Sequence, residues 1–194
     1  MYRKGSAYEN LEKANFIGDG AYDIPIIRPV NISVNNFIGF NYAKTCKASE
    51  DTSLHFFIDD YQFSRLWTNP NQYLSLISKF NCVCTPDFST YTDYPKIIQI
   101  YNHFRKHWLG AYWQANGVTV IPTISWSDES SFEWCFDGEP RQSGVMSIEA
   151  GIDELYGDSK DDEWKAEEAK RIKEEMGIAV AEETSEADDI PIGF

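Results

Sequence analysis

Four short apolar runs, each closed by a polar or acidic residue and followed by a segment of helical pattern, constrain this chain more than any other feature. They are Leu54 to Ile58 ending in Asp59-Asp60, Cys82 to Thr85 ending before Asp87, Val118 to Ile124 ending in Ser125-Trp126, and Val145 to Ile148 ending in Glu149. A strand that returns to a parallel neighbour needs a crossover, usually a helix. The alternation therefore predicts an α/β fold: a mostly parallel sheet of five or six short strands with crossover helices, open or curled into a partial barrel. In such sheets functional groups gather where the carboxyl ends of the strands meet their loops.

At 194 residues, 42% of them hydrophobic and 15% aromatic, the chain suffices for one well-buried core. Residues 1–35 read as an N-terminal arm and edge segment, 36–181 as the α/β domain, and 182–194 as an acidic tail expected to be disordered. Within the domain, strands are expected at Asn36 to Tyr42, Leu54 to Ile58, Asn81 to Thr85, Val118 to Ile124 and Gly144 to Ile148. A broken helix should run from Tyr61 to Trp67 and restart at Asn69-Pro70, where Asn can cap and Pro fits the first turn. The longest helix should begin near Asp93-Tyr94-Pro95 and end at Gly117, with Ile97, Tyr101, Phe104, Trp108 and Ala111 as its core stripe. Ser127 opens a short segment that Gly138 stops. A charged helix is expected from about Lys160 to Met176, and a last strand at Ile178 to Val180.

The formal charge of −14 is unevenly spread: residues 1–150 hold 16 acidic and 12 basic side chains, and 151–194 hold 15 and 5. So acidic a chain gains no non-specific pull toward phosphates, which argues against direct nucleic-acid binding except through a local basic patch. Arg105-Lys106 with Lys96 is the candidate. No run approaches the roughly 18 to 20 apolar residues that span a bilayer, and the start lacks an apolar segment behind its charges, so a soluble cytoplasmic protein with no membrane partner is expected. Cys82 and Cys84 lie two apart on one strand face, Cys46 and Cys135 stand alone, and no CxxC pair exists. Buried free thiols are the expected state.

The chemical constellation is Asp59, Asp60, Asp87, Asp128 and Glu149, all at or just past predicted strand ends. Converging carboxylates, Asp59, Asp60 and Asp87 above all, could bind Mg²⁺ or Mn²⁺ and activate water for phosphoryl chemistry. Acids also cap helices, and Asp60, Asp87 and Asp128 each precede or open a helical segment. His103 and His107, four apart on a helix, have zinc spacing but not the HExxH pattern, and the neighbouring cations oppose a metal. Tyr42, Tyr61 and Trp126 fall near the same face and could stack on a ring, although core packing is the commoner use of aromatics. No G-x-S-x-G, Walker or G-x-G-x-x-G motif is present, and no cofactor is called for beyond the Mg²⁺ or Mn²⁺ of the carboxylate reading.

The runs "GFNYAKT" from Gly39, "HFFIDDYQFSRLW" from His55, "CTPDFSTYTDYP" from Cys84, "QIYNHFRKHWLGAYWQANG" from Gln99, "VIPTISWSDESSFEWCFDG" from Val120 and "SGVMSIEAG" from Ser143 occur in this order. Over residues 36–150 the chain resembles a domain-of-unknown-function family, DUF4417, carried by phages and mobile elements. The resemblance implies a compact α/β fold and residence in an infected or carrier bacterial cell, and it supplies no catalytic residues. After Ala150 the chain departs from the family pattern, where a longer helix-strand continuation is expected.

The final residues, from Glu182 to Phe194, run acids into Asp188-Asp189-Ile190-Pro191 and a terminal Phe194. This resembles the tail of bacterial single-stranded-DNA-binding proteins, apart from the inserted Ile192-Gly193. The resemblance implies docking of the Phe194 ring and carboxylate on a partner, with Asp188, Asp189, Ile190 and Pro191 contributing. The expectation is a phage or mobile-element accessory protein, a non-catalytic interaction protein acting on a host protein of DNA replication, repair or defence. The alternatives are a metal-dependent enzyme on nucleotides or nucleic acid and, third, a single-stranded nucleic-acid-binding protein.

Overall fold

The structure is a computed structural model and describes residues 9–11, 13–34, 36–140 and 147–150. A two-residue hairpin opens it, β1 (Gly18–Asp19) pairing antiparallel with β2 (Ile24–Pro25). Four short strands then form a parallel sheet in chain order, β3 (Phe37–Gly39), β4 (Ser53–His55), β5 (Cys82–Cys84) and β6 (Val120–Ile121). Beyond Pro122, β7 (Thr123–Trp126) pairs in parallel with β8 (Ser147–Ala150). The mixed α/β class and the parallel sheet agree with the alternating pattern of the sequence.

Between β4 and β5 the chain makes α1 (Asp60–Phe63), α2 (Arg65–Thr68) and α3 (Pro70–Ile77), and between β5 and β6 the long α4 (Lys96–Ala115). Because strand order follows chain order, right-handed crossovers place these helices on one face of the sheet, and α2 does touch α4. A doubly wound sheet would instead reverse its order and put helices on both faces. Pro70 occupies the first turn of α3 as its lack of an N–H favours, whereas the Asn69 side chain makes no capping bond.

Pro122 cannot donate to a ladder, and side chains bridge the gap it leaves. The Thr123 N–H donates to Thr85 Oγ1 (2.8 Å) and Thr123 Oγ1 donates to the Thr85 carbonyl (3.0 Å), so the two threonines continue the contact between β5 and the β6–β7 strand pair. The main core gathers Leu54, Phe56, Phe63, Val83, Trp113 and Ile121, all fully buried, and a second cluster joins Ile100, Ile124, Trp126, Trp134 and Cys135. The four cysteines form no disulfide, and three of them are buried.

The first half of α4 departs from its expected stripe. Trp108 and Ala111 are buried, but Ile97 is 68% exposed and Tyr101 and Phe104 only partly covered. Gln99, Asn102, His103, Lys106 and His107 are buried instead. The helix can press this close because Gly110 has no side chain: a Cβ there would lie 2.6 Å from Ile27 Cδ1 and 2.7 Å from Thr85 Cγ2.

The described part of the N-terminal arm is tied down. Asn10 is buried and its Nδ2 donates to the Trp67 carbonyl (2.7 Å), while Trp108 Nε1 donates to the Ala14 carbonyl (3.2 Å). The expected strands shorten, the first giving way after Gly39 to a 3₁₀ turn at Phe40–Tyr42. The segment opened by Ser127 is a 3₁₀ turn, Glu129–Glu133. The expected helix near residues 160–176, the strand at 178–180 and the tail from 182 to 194 lie outside the described residues.

Thr85→Val removes the acceptor of the Thr123 N–H while keeping the side-chain shape. The expected loss is about 1–3 kcal/mol, the cost of a buried donor deprived of its partner, read as a lower urea midpoint with unchanged slope. An unchanged midpoint would show that the threonine bridge carries no stability.

Candidate functional site

The parallel strands end along one edge, and the loops that follow β4 and β5 bring two of the five candidate carboxylates together. Asp60, the first residue of α1, accepts from the Ser89 N–H (3.2 Å to Oδ1, 3.3 Å to Oδ2) and from Ser89 Oγ (2.9 Å). Burial raises its pKa, and the nearby Asp87 adds to the rise; the Ser89 bonds and Arg105 act the other way. Asp87 Oδ1 is buried without a hydrogen-bond partner. From Ser89 a polar chain continues into α4. Asn102 Nδ2 donates to the Ser89 carbonyl (2.6 Å), and Arg105 Nη2 donates to Asn102 Oδ1 (2.5 Å).

The Arg105 guanidinium lies 4.0 Å from the ring centre of Phe88 and 4.9 Å from that of Tyr101. Its Nε is buried and unpartnered, and burial lowers its pKa against the pull of Tyr101, Asp60 and Glu9. Tyr101 donates to a Glu9 carboxylate oxygen, and its phenol is pushed up to about 12 by burial and that bond. Arg105 is therefore held by cation–π contact with two rings.

Asp59 and Asp128 do not join this pair. Asp59 is exposed, and its carboxylate accepts a long bond from Gln62 Nε2 (3.4 Å). Asp128 is exposed and caps the 3₁₀ turn after β7, accepting from the Ser130 N–H (2.9 Å) and Oγ (2.7 Å). Glu149 is placed by its backbone opposite Ser125 in the β7–β8 pair. Among the described residues no group of three or more His, Cys, Asp or Glu side chains is arranged to hold a metal ion.

The basic patch proposed from the sequence is dispersed. Lys106 is 1% exposed, Arg105 lies over the Phe88 and Tyr101 rings, and Lys96 is paired with Glu133 at 2.9 Å. The histidine pair is structural. His103 Nε2 lies 3.0 Å from the Asp137 carbonyl oxygen, and the two nitrogens of His107 lie 2.9 Å from the Pro25 carbonyl oxygen and 3.0 Å from Glu139 Oε1. Trp126 is wholly buried, whereas Tyr42 is 60% and Tyr61 78% exposed. These tyrosines stand on neighbouring turns, since the 3₁₀ turn Phe40–Tyr42 packs against α1. Sequence reasoning missed Ser89, Asn102 and Glu9. Asn102 and Arg105, three apart on α4, shared the available signal with Gln99 and Lys106: polar residues recurring at helical spacing.

The family model for a domain of unknown function, DUF4417, matches residues 16–176 of this chain, well over half its length. The chain belongs to the DUF4417 family. The match begins earlier and ends later than the 36–150 over which the resemblance was read, so the hairpin and the segment after Ala150 fall within the family. The Gene 1 protein of Mycobacterium phage L5 is 37% identical over 142 residues, which make up 72% of this chain and 62% of that protein. The Gene 1 protein of Mycobacterium phage D29 is 35% identical over 142 residues, 72% of this chain and 53% of that protein. The chain thus spans little more than half the length of these relatives. No solved structure matches it, and no helix among the described residues is long and apolar enough to cross a membrane.

The buried groups set an acid limit on stability. Burial, Lys106 and His107 hold the His103 pKa well below the ordinary histidine value. Burial opposes the Glu139 charge, yet His107 and Lys106 bring its pKa below the usual carboxylate value. For His103 the unfolded chain takes up its proton first, so stability falls as pH drops below about 6.5. The depressed Glu139 adds a second loss below about 4.5. Melting temperature measured against pH should decline through both windows, and His103→Gln should flatten the upper one; a profile level down to about pH 5 would contradict the neutral buried imidazole.

Proposed function

We propose that this protein is a phage accessory protein that works by binding, engaging a host protein of DNA replication, repair or defence through the strand-end face. The observation that carries the reading is the pair of solvent-facing tyrosines, Tyr42 at 60% and Tyr61 at 78% exposure, on turns packed together beside the outward Asp59. Tyrosines in such settings supply large contact area at low entropic cost and dominate interfaces out of proportion to their number. The phage relatives support a role inside an infected bacterial cell, and the acidic tail with Asp188, Asp189, Ile190, Pro191 and Phe194 supplies a second contact of the kind its sequence suggests.

The test is capture from host lysate with the full chain, the Tyr42→Ala/Tyr61→Ala double variant and the chain lacking Ile190 to Phe194, read by mass spectrometry. A DNA-metabolism or defence protein retained by the parent and reduced at least about tenfold by the tyrosine variant, the effect of losing hot-spot side chains, supports the face. Undiminished capture by that variant, or no such protein on the parent, overturns it. Loss only on removal of the tail would move the contact to the tail.

One observation favours a second reading, a metal-dependent enzyme on nucleotides or nucleic acid. Asp60 sits where its charge is disfavoured beside an Asp87 oxygen that has no partner, and carboxylates held in this way occur at functional sites. Two carboxylates can contribute oxygens to Mg²⁺ or Mn²⁺, although Arg105 opposes a cation there. Under this reading Mn²⁺ raises the melting temperature of the parent and not of Asp60→Asn. Asp60→Asn should itself melt higher than the parent without metal, because the amide oxygen still accepts from Ser89 while the buried charge is gone. No Mn²⁺ shift in the parent removes this reading.

A further inference from the structure

Two segments with no cation of their own meet beside the start of α4. Residues 16–27 and 127–138 together hold six carboxylates, Asp19, Asp23, Asp128, Glu129, Glu133 and Asp137, and no lysine, arginine or histidine. Asp19 Oδ2 accepts from the Gly138 N–H (3.2 Å), and a Cβ on Gly20 would overlap the Asp137 carboxylate, so the hairpin turn lies directly on residues 137–138. Lys96, the first residue of α4, joins the two segments: it pairs with Glu133 (2.9 Å) and lies within electrostatic reach of Tyr22 and Asp128. Asp19 opposes the charge of Asp137, and among the described residues neither carboxylate makes an ion pair.

Apolar side chains stand out beside these acids. The hairpin buries Ile24 and Ile27 but leaves Ile17 and Ile26 outside, Ile17 at 82% exposure, and joins them through the Ile26 N–H and the Ile17 carbonyl (3.1 Å). Tyr22 at the turn is exposed, and so is Ile97, at 68%, in the first turn of α4 next to Lys96. Single exposed apolar residues are ordinary. Here four of them sit on segments that touch, bordered by charge of one sign, and an apolar centre with a polar rim is the make-up of a protein interface. We propose that the hairpin and the start of α4 form a docking surface for a cationic amphipathic segment of a partner protein, whose apolar side chains cover Ile17, Tyr22, Ile26 and Ile97 and whose lysines or arginines meet the surrounding acids.

The charge selects the partner. Phosphates of a nucleic acid or of an anionic membrane are repelled by such a surface, whereas a basic protein segment gains counter-charges and is steered by the field of a chain of formal charge −14. The surface is distinct from the tyrosine pair. Tyr42 and Tyr61 follow β3 and β4, while residues 127–138 follow β7, which continues from β6 at the other end of the strand order. The assignment therefore stands or falls independently of the partner proposed for the tyrosines.

The test is titration of the ¹⁵N-labelled full chain with two synthetic helical peptides of equal length and the same leucine face, one with lysines and one with glutamates on its polar face. The lysine peptide should move the amide signals of Ile17, Gly20, Tyr22, Ile26 and Ile97, and bind more weakly as salt is raised from about 0.1 to about 1 M; the glutamate peptide should move none. Ile17→Ser/Ile97→Ser, which changes exposed side chains and leaves the core intact, should weaken binding at least about tenfold. Asp23→Asn/Glu129→Gln should weaken it less and flatten its salt dependence, Asn being at ease with the φ of +52° at position 23. Movement confined to residues 182–194, equal binding of the two peptides, no binding of the lysine peptide, or undiminished affinity in the serine variant overturns the proposal. So does a surface already closed by a second copy, seen in sedimentation as a dimer that the serine variant abolishes.

Discussion

A lysine ammonium inside a protein core must be surrounded by oxygens or it will not stay there, and much of this structure is arranged around Lys106. Its Nζ draws the Thr123 carbonyl, Glu139 Oε1 and, at 3.5 Å, Ser125 Oγ to one point. These partners belong to β7 and to the segment after the 3₁₀ turn. Seating α4 on the sheet therefore also positions the chain that continues beyond Pro122. Glu139 then meets His107, and His107 meets the hairpin. Removing one member of such a buried set leaves an uncompensated charge, which typically costs about 3–5 kcal/mol.

The strand-end face follows different physics. Its carboxylates are sorted by environment rather than by their place in the sequence. Asp59 and Asp128 face water, and Asp128 serves a turn. Asp60 is drawn inward by Ser89 toward Asp87, where desolvation and like charge both work against ionisation. Arg105 approaches but is committed to Phe88, Tyr101 and Asn102. A side chain that burial disfavours and a surface tyrosine pair thus lie on the same loops. Both follow from a singly wound sheet, whose strand ends and helix starts share one rim.

Membership of the DUF4417 family and likeness to phage Gene 1 proteins place the fold in a phage setting without naming a reaction. The family match includes Phe16 to Ile27, and the hairpin is bound to the rest of the fold through Pro25 with His107, Ile27 with Gly138 and Asp19 with Gly138, while Asn10, Ala14 and Phe16 before it meet Trp67 and Trp108. The aromatic outer side of α4 needs a cover, and the N-terminal segment supplies it.

What the sequence determined by itself is the alternation of short strands with crossovers, and from it the parallel sheet, the order of elements and the rim where the acids collect. The strand order and crossovers are local or depend on chain connectivity, so periodicity and Pro70 at a first turn suffice to read them, whereas of the acids assigned to the rim only Asp60 and Asp87 come together. The Thr85–Thr123 bridge beside Pro122, the stripe of α4 that turns inward and the approach of Asp60 to Asp87 were decided by the tertiary structure. Helix α4 carries two stripes of helical spacing. The apolar one, Ile97 to Phe104, is the natural choice when each residue is weighed alone. The polar one is buried because Thr123, Glu139, Ser127 and Ser89, far away in the chain, bring the hydrogen-bond partners that Lys106, His107, Gln99 and Asn102 require. A polar group's preference for the interior is set by its partners, and only the folded chain brings those partners within bonding distance.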